Sequence, residues 1–344
     1  MLRRLRVSVV LAVVALIATL VPATATTAHG RQASFTYYRF SNSQGARKYM
    51  VYVPASYRPG MPLVVDLHGC DETARLEARR SRFNEVAARL GFVVAYPEQD
   101  PAANGSMCWN WFEPMNQTRG KGEPALIAGI TEAVTKRWHT DPRRTYVFGI
   151  SAGGGMSDIM AVTYPDLYAA AGVYAGCEYR GLPCLGSPPA QPWQLSAQLA
   201  YDEMGPRART VPVFVVQGDQ DFAVPFPNSL YVVQQWLNDD LLASHQSMRA
   251  TYWNPDSTRK GKKPGQGGQS YDVTTWRGAG SCELAQMWLI HGMGHAWSNA
   301  PKSGDQQGGD TTDVAFDDPN GPDVTTPAAE FFLRHPMTRS DSRC

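Results

Sequence analysis

The stretch Thr145-Tyr-Val-Phe-Gly-Ile-Ser-Ala-Gly-Gly-Gly-Met156 decides the fold of this chain. It begins with an apolar run that is typical of a strand covered on both faces. Residues 154–164 can form a helix, and Gly149-Ile-Ser-Ala-Gly153 lies between the two as a Gly-x-Ser-x-Gly box. The alternative is a glycine-rich turn with an incidental serine. The strand before the box and the helix after it favour Ser151 as a nucleophile raised above the edge of a sheet.

Strand-like and helical segments alternate on both sides of this box. Strands are predicted at residues 48–53, 62–67, 92–96, 145–149, 211–216 and 284–290, and helices at 82–90, 123–138, 228–242 and 327–333. Residues 100–122 and 259–269 are predicted to be irregular loops. The alternation predicts an α/β-hydrolase fold: a mostly parallel sheet flanked by helices, in a single catalytic domain.

The first residues carry an export signal rather than part of the fold. Arginines precede an apolar run from Val7 to Val21, and Ala23-Thr-Ala25 supplies the small residues that a signal peptidase accepts. The run is too short for a comfortable membrane span. We therefore predict a cleavable signal peptide over residues 1–28, a secreted protein without a stable membrane anchor, and a catalytic domain over residues 29–344.

Composition narrows the class of partner and cofactor. The chain has 32 Lys and Arg against 31 Asp and Glu, so no basic surface for nucleic acid is expected. Neither a Cys-x-x-Cys pair nor a His-Glu-x-x-His helix occurs, so no metal and no cofactor are predicted. The expected partner is a small or neutral substrate, and the sequence leaves the oligomeric state open.

An even number of cysteines in an exported chain favours disulfides over free thiols. The six cysteines are Cys70, Cys108, Cys177, Cys184, Cys282 and Cys344. Local sequence alone leaves their pairing open, since six cysteines allow fifteen connectivities.

A serine nucleophile needs a base and an orienting acid, which follow it along the chain in this fold. Of the four histidines after Ser151, His295 lies in a glycine-rich loop just past the last predicted strand, where it can fold back over the serine. His291 ends that strand and is expected to be structural. The acid should follow the strand 211–216, where Asp219 and Asp221 both qualify, one as the acid and the other as a turn-capping side chain.

The oxyanion of an acyl-transfer intermediate needs two backbone donors. One is expected from Ala152, the residue after the nucleophile, and the other from the loop after an early strand. His68-Gly-Cys70 occupies that loop, which makes the N–H of Cys70 the second candidate. His68 has two interpretations, a substrate-binding side chain or an ordered loop histidine.

At these residues the chain resembles the polyhydroxybutyrate depolymerase family of esterases, which includes feruloyl and acetylxylan esterases. The matching segments are Leu67-His-Gly-Cys-Asp-Glu-Thr-Ala74, Tyr96-Pro-Glu-Gln99, Cys108-Trp-Asn-Trp-Phe112, Gly149-Ile-Ser-Ala-Gly-Gly154, Tyr164-Pro165 and Gly292-Met-Gly-His-Ala-Trp297. They extend over about residues 45–335, nearly the whole mature chain. The resemblance implies serine esterase chemistry and leaves the substrate open.

The resemblance also assigns residues that local patterns leave ambiguous. The acid motif of the family, His-Gly-x-x-Asp-x-x-Val, corresponds to residues 217–224 and implies Asp221 as the acid, with Gln217 in place of the leading histidine. The family pattern implies a Cys70–Cys108 disulfide. The pairs Cys177–Cys184 and Cys282–Cys344 then remain.

The expected function is hydrolysis of a carboxylic ester through an acyl-enzyme. A polyhydroxyalkanoate-type polyester or its oligomers is favoured, and a feruloylated or acetylated polysaccharide is the alternative. No linker to a polymer-binding domain is evident, so weak action on crystalline polymer is expected. Trp109, Trp111 and Trp297 are candidate substrate-binding residues, with core packing as the alternative. Peptidase, acyltransferase and non-catalytic binding functions are the rival classes.

Overall fold

A computed structural model describes residues 32–246, 254–278, 282–301 and 316–337. These residues all belong to one unit, Arg31–Cys344. The predicted signal peptide at residues 1–28 lies outside the described residues. Within the described ranges, no helix is both long and apolar enough to cross a bilayer.

Most of the strands join one large sheet. They are β1 (Ser34–Asn42), β2 (Gly45–Val53), β3 (Leu63–Leu67), β4 (Val93–Glu98), β5 (Thr145–Ile150), β6 (Ala170–Tyr174), β7 (Val213–Gly218), β8 (Ser257–Lys262), β9 (Ser270–Arg277) and β10 (Glu283–Ile290). Their order is β1-β2-β4-β3-β5-β6-β7-β10-β9-β8. The six central strands, in the order β4-β3-β5-β6-β7-β10, pair in parallel. On one side of them β2 and β1 pair antiparallel, and on the other side β9 and β8 do so. A separate parallel pair consists of β11 (Trp297–Ser298) and β12 (Asp317–Asp318).

Helices cover both faces of this sheet. They are α1 (Ala74–Ser81), α2 (Phe83–Leu90), α3 (Gly122–Trp138), α4 (Ala152–Thr163), α5 (Trp193–Met204), α6 (Pro227–Ala243) and α7 (Thr325–Arg334). Alternate residues of β5 enter opposite cores. Val147 packs with side chains of α3, α4 and α6, and Phe148 packs with those of α1, α2 and α7. Burial on both faces explains why the central strands read as continuous apolar runs. The structure confirms the predicted α/β-hydrolase fold class.

The carboxyl ends of the parallel strands meet at one edge of the sheet. Leu67 at the end of β3 pairs with Gly149, and Ile150 at the end of β5 pairs with Tyr174. Ile290 at the end of β10 pairs with Gly218 at the end of β7. Loops that follow these strands therefore gather at one edge, which is where ligands bind in open α/β sheets.

The segment 259–269 differs from its prediction as a loop. Its first residues complete β8, and its middle turns into β9, so the segment belongs to a β-hairpin at the side of the sheet. Five of the six residues of β8 are exposed. An edge strand that is solvated on both faces carries Lys, Arg, Ser and Thr instead of alternating apolar residues, which removes the pattern that identifies strands.

Candidate active site

The turn around Ser151 is so tight that it requires glycine at positions 149 and 153. Ser151 has φ 57° and ψ −120°, a sparsely populated region for a residue with a side chain. A Cβ on Gly149 would collide with the carbonyl oxygen of Gly153, and a Cβ on Gly153 would collide with that of Leu67. The N–H of Ser151 donates to the carbonyl of Tyr174 at 2.9 Å. The sharp turn thus lies at the carboxyl edge, where it begins helix α4.

Asp221 accepts four hydrogen bonds in the loop after β7. Its Oδ1 accepts from the N–H groups of Ala223 and Val224 at 2.9 and 2.8 Å. Its Oδ2 accepts from Nε2 of Gln217 at 3.0 Å and lies 2.8 Å from Nδ1 of His295. The side chain is fully shielded from solvent. This carboxylate is therefore fixed in orientation before any ligand binds, and it faces the imidazole that follows β10.

Asp219 has a different set of contacts, although it lies two residues away. Its carboxylate accepts from the N–H of Gly292 at 2.7 Å and contacts Nδ1 of His291 at 2.9 Å. Partial burial opposes ionisation, but these hydrogen bonds lower the pKa of Asp219. The same bond to Asp219, with Asp272 at the other ring nitrogen, raises the pKa of His291. Asp219 and His291 hold the loop that carries His295.

Tyr174 connects the nucleophile turn to the histidine loop. Its backbone carbonyl accepts from Ser151, and its hydroxyl donates to the carbonyl of Ala296 at 2.7 Å. The same hydroxyl accepts from the N–H of Ser298 at 2.8 Å. Within the described ranges, no hydrogen bond joins the Ser151 hydroxyl to the His295 imidazole. Catalytic hydrogen bonds are often loose in an enzyme without substrate.

The candidate oxyanion donors are the N–H groups of Ala152 and Cys70. Ala152 is the first residue of α4, so its N–H has no acceptor within the helix. Cys70 follows β3, and a methyl group on the preceding Gly69 would lie 3.4 Å from Cβ of Ser151. The loop that carries Cys70 therefore comes close to Ser151.

His68 is an ordered loop histidine rather than a substrate-facing one. It is fully buried, and its Nε2 accepts from the N–H of Gln99 at 3.0 Å. Its Nδ1 therefore carries the proton and donates to the carbonyl of Gly69 at 2.6 Å. Burial lowers the pKa of His68, which favours this neutral form. Of the two interpretations that the sequence left open, the structural one fits these contacts.

The tryptophans predicted to bind substrate are buried as well. Trp109 and Trp111 belong to the core on one face of the sheet, and Trp297 belongs to the core on the other face. Only Trp111 keeps a trace of exposure, at 6%. Large aromatic side chains gain more from core packing than from a place at the surface. Burial of this extent fits the alternative of core packing, and substrate binding by these side chains stays a prediction.

Two of the predicted disulfides are present. Cys70 pairs with Cys108 across 38 residues, and Cys177 pairs with Cys184 across 7 residues. The third predicted pair cannot be followed because Cys344 lies outside the described residues. The Cys70–Cys108 bond ties the loop that carries a candidate oxyanion donor to the loop that carries Trp109 and Trp111.

Removal of the Cys70–Cys108 disulfide is expected to lower both stability and turnover. Replacing both cysteines with serine frees a 38-residue loop in the unfolded chain, which should cost about 2–4 kcal/mol of unfolding free energy. The N–H of Cys70 also loses a tether, so kcat should fall more than KM rises. Denaturant unfolding and steady-state ester kinetics measure the two effects.

The Cys177–Cys184 pair provides the matched control. Its 7-residue loop should stabilise less, and neither cysteine belongs to the predicted oxyanion loop. The double serine variant should therefore lose stability with little change in kcat. Peptide mapping without reductant that finds free thiol at Cys70 or Cys108 would contradict the pairing.

Sequence reasoning missed two residues that shape this site. Tyr174 ends β6, a short strand of small residues that carries no strong signal. Gln217 was noticed only as a substitution in the acid motif, yet it is fully buried and donates to Asp221. Within the described ranges, no group of three or more His, Cys, Asp or Glu side chains is arranged to hold a metal ion.

Comparison with known protein families agrees with this geometry. Residues 47–187, which contain the Cys70 loop and the Ser151 turn, match the family described as "Esterase PHB depolymerase". Over these residues the chain is similar to members of this family. The match ends before Asp221 and His295.

Curated relatives carry several esterase names. The chain is 30% identical over 282 residues to poly(3-hydroxyalkanoate) depolymerase C of Paucimonas lemoignei, covering 78% of this chain and 63% of the relative. It is 29% identical over 238 residues to acetylxylan esterase of Coprinopsis cinerea, covering 64% and 61%. The chain thus spans somewhat less than two thirds of the length of these relatives.

A solved structure shares the fold. The acetyl xylan esterase from Aspergillus awamori aligns with a TM-score of 0.62 at 22% identity, covering 76% of this chain and 94% of that chain. At this identity the likeness concerns the fold and carries no information on substrate.

Proposed function

We propose that this protein is a serine carboxylic-ester hydrolase that works through an acyl-enzyme, with Ser151 as nucleophile, His295 as base and Asp221 as orienting acid. The observation that carries the proposal is the 2.8 Å contact between Asp221 and Nδ1 of His295, on loops that share the sheet edge with the Ser151 turn. The match of residues 47–187 to an esterase family supports the same chemistry.

The first half-reaction follows from these positions. His295 accepts the hydroxyl proton on Nε2 as Oγ of Ser151 attacks the ester carbonyl, and Asp221 stabilises the imidazolium through Nδ1. The carbonyl oxygen becomes an oxyanion, which the N–H groups of Ala152 and Cys70 stabilise. Collapse of the intermediate expels the alcohol, which takes the proton from His295, and leaves the acyl group on Ser151.

The second half-reaction uses the same groups in reverse. His295 removes a proton from water, which attacks the acyl carbonyl, and the oxyanion forms between the same two N–H groups. Proton return to Oγ of Ser151 releases the carboxylic acid and restores the enzyme. Because the acid has four hydrogen-bond partners, the imidazole keeps one orientation through both steps.

An apolar polyester is the substrate class that the surface favours. Eight large apolar side chains are exposed within the described ranges, and five of them lie in the segments that follow β4, β6 and β7. Phe112 and Met115 follow β4, Leu182 and Leu185 follow β6, and Phe222 follows β7 with 81% exposure. Exposed apolar residues on loops at one edge of a sheet are the material from which a binding surface is built.

Polysaccharide ester hydrolysis is the second candidate. It is supported by the names of two relatives, the acetylxylan esterase above and feruloyl esterase B of Neurospora crassa, the latter 34% identical over 137 residues, with 40% of this chain and 46% of the relative covered. The same triad serves either ester, because both reactions pass through an acyl-enzyme. The choice between a polyester and a polysaccharide ester therefore depends on the residues that surround the catalytic edge.

Export from the cell is part of the proposal. The predicted signal peptide at residues 1–28 and the disulfides Cys70–Cys108 and Cys177–Cys184 support an oxidising, extracellular location.

A substrate panel on the mature protein tests the proposal and separates the two candidates. The panel contains para-nitrophenyl esters of increasing acyl length, methyl ferulate, acetylxylan and an amorphous poly(3-hydroxybutyrate) emulsion. We expect turnover of the para-nitrophenyl esters and clearing of the emulsion. A strong preference for methyl ferulate or acetylxylan would reject the polyester assignment, and inactivity on all of them would reject the esterase.

Variants of the exposed apolar residues sharpen this test. Leu185→Ser should slow clearing of the emulsion and leave the kcat of para-nitrophenyl butyrate unchanged, because the side chain binds polymer rather than the reacting ester. Leu90→Ser is the control: Leu90 ends α2, ahead of β4, is 37% exposed against 64% for Leu185, and its replacement should affect neither rate. Equal clearing by all three proteins would remove the argument from the apolar surface.

A further inference from the structure

A buried chain of charges lies behind the candidate oxyanion loop. Glu72, Arg80 and Asp317 have side-chain exposures of 5%, 1% and 4%, and Arg80 forms an ion pair with each of the two carboxylates. Burying a charge costs several kcal/mol unless it is paired and hydrogen-bonded. None of these three residues belongs to the proposed catalytic triad, so the arrangement requires another explanation.

Glu72 contacts the backbone that leads to the oxyanion donor. Its Oε2 accepts from the N–H of Gly69 at 3.1 Å, and its Oε1 pairs with Nη1 of Arg80. His68 binds the carbonyl of Gly69, which belongs to the same peptide unit as the N–H of Cys70. Both peptide units that flank Gly69 are therefore held by side chains. In a planar trans peptide the C=O and the N–H point in opposite directions, so these two bonds determine where the N–H of Cys70 points.

Arg80 extends the chain of contacts to the histidine loop. Its Nε donates to Oδ1 of Asp317 at 2.7 Å. Asp317 begins β12, which pairs with Trp297 two residues after His295. The ring of Phe316 lies 6.1 Å from that of His295 and 5.9 Å from the Arg80 guanidinium. One guanidinium thus connects the loop after β3 with the loop after β10.

Two further acids lie close to these charged side chains. Asp66 on β3 and Glu77 on α1 are fully buried, and burial raises the pKa of both carboxyl groups. Burial therefore opposes the ionisation of Asp66 and Glu77, whereas Glu72 and Asp317 each form an ion pair with Arg80. These two ion pairs join the loop after β3 to the loop after β10.

We propose that Glu72 is a positioning residue for the oxyanion hole: its carboxylate orients the Gly69–Cys70 backbone, and Arg80 and Asp317 fix that carboxylate relative to the loop of His295. The inference rests on the proposed esterase function. It adds a residue that touches no substrate and acts through the N–H of Cys70.

Two substitutions of Glu72 separate positioning from stability. Glu72→Ala removes the acceptor for Gly69 and should lower kcat about 10- to 100-fold, part of the roughly 100- to 1,000-fold that loss of one oxyanion donor costs. KM should change less than about twofold, because ground-state binding does not use the oxyanion hole. Glu72→Gln keeps a carbonyl oxygen for Gly69, so its kcat should stay within about threefold of wild type, although its Tm falls with the loss of the Arg80 ion pair.

Steady-state kinetics on para-nitrophenyl acetate and butyrate, with thermal unfolding of each variant, give the readout. The loss of kcat in Glu72→Ala should be equal for both esters, because the oxyanion is common to every acyl chain. Glu85→Ala is the control, since Glu85 forms an exposed pair with Arg82 close by in sequence. That variant should match wild type.

The outcomes distinguish the inference from the function on which it rests. A wild-type protein without esterase activity would overturn the proposed function itself. An active wild type with unchanged kcat in Glu72→Ala would overturn the positioning role. So would a kcat that falls in Glu72→Gln as far as in Glu72→Ala, since that result follows from lost stability rather than from a lost acceptor.

Discussion

Replacement of Ser151 with alanine is expected to abolish ester hydrolysis and labelling by a fluorophosphonate probe while leaving the fold intact. No other group in the proposed mechanism can form the acyl-enzyme, and removal of the corresponding serine in subtilisin costs about 10⁶-fold in kcat. The fold should survive because the contacts of Ser151 with Tyr174 and Gly155 are made by its backbone N–H and C=O. Probe labelling, ester turnover and thermal unfolding measure these effects.

Ser157→Ala is the matched control on the same helix. The hydroxyl of Ser157 is buried, and its one proton is shared between the carbonyl oxygens of Gly154 and Gly172, which lie 2.8 and 2.7 Å from Oγ. Its removal should lower stability by about 1 kcal/mol and leave labelling intact. Ser151→Ala should thus lose labelling and keep its stability, whereas Ser157→Ala should lose stability and keep labelling. Turnover near the wild-type rate in Ser151→Ala would refute the nucleophile assignment.

The parts of this site that sequence could predict are those that local patterns encode. The Ser151 turn lies between an apolar strand and a helix, which the sequence shows. Gly149 is required by a contact with Gly153, four residues away, although the carbonyl of Leu67 in the distant strand β3 also lies close to both glycines. Most strand and helix positions followed from the same kind of pattern. For example, the predicted helix over residues 82–90 appears as α2 and ends at Gly91, which has φ 79°.

Features that depend on distant contacts could not be predicted in this way. Asp219 and Asp221 have similar local surroundings in the sequence, and only the positions of His291 and His295 after β10 distinguish their contacts. Arg80 appears as one of several arginines in a polar helix, whereas its partner Asp317 lies 237 residues further along the chain. Burial likewise decides whether His68 packs within its loop or faces substrate, and no local sequence pattern predicts that burial.

Replacement of Asp221 with asparagine is expected to lower kcat about 10⁴-fold, as the equivalent change does in a serine protease. The N–H groups of Ala223 and Val224 require an acceptor, so the amide oxygen should take the place of Oδ1. The amide nitrogen then faces Nδ1 of His295 and donates to it. The histidine proton moves to Nε2, which can no longer accept the proton of Ser151. The same amide nitrogen also meets the donor Nε2 of Gln217, which adds a repulsive contact.

Asp219→Asn is the control because it changes the same functional group two residues away. Asparagine retains an oxygen that can accept from the N–H of Gly292, and the contact that it weakens is with His291, which takes no part in the proposed mechanism. We expect a modest loss of stability and a kcat within about tenfold of wild type, since an exposed ion pair contributes little. Steady-state kinetics of both variants at pH 7–8 make the comparison. If Asp219→Asn were the inactive variant and Asp221→Asn retained turnover, the acid would be Asp219. The imidazole of His291 would then have to replace that of His295 as the base.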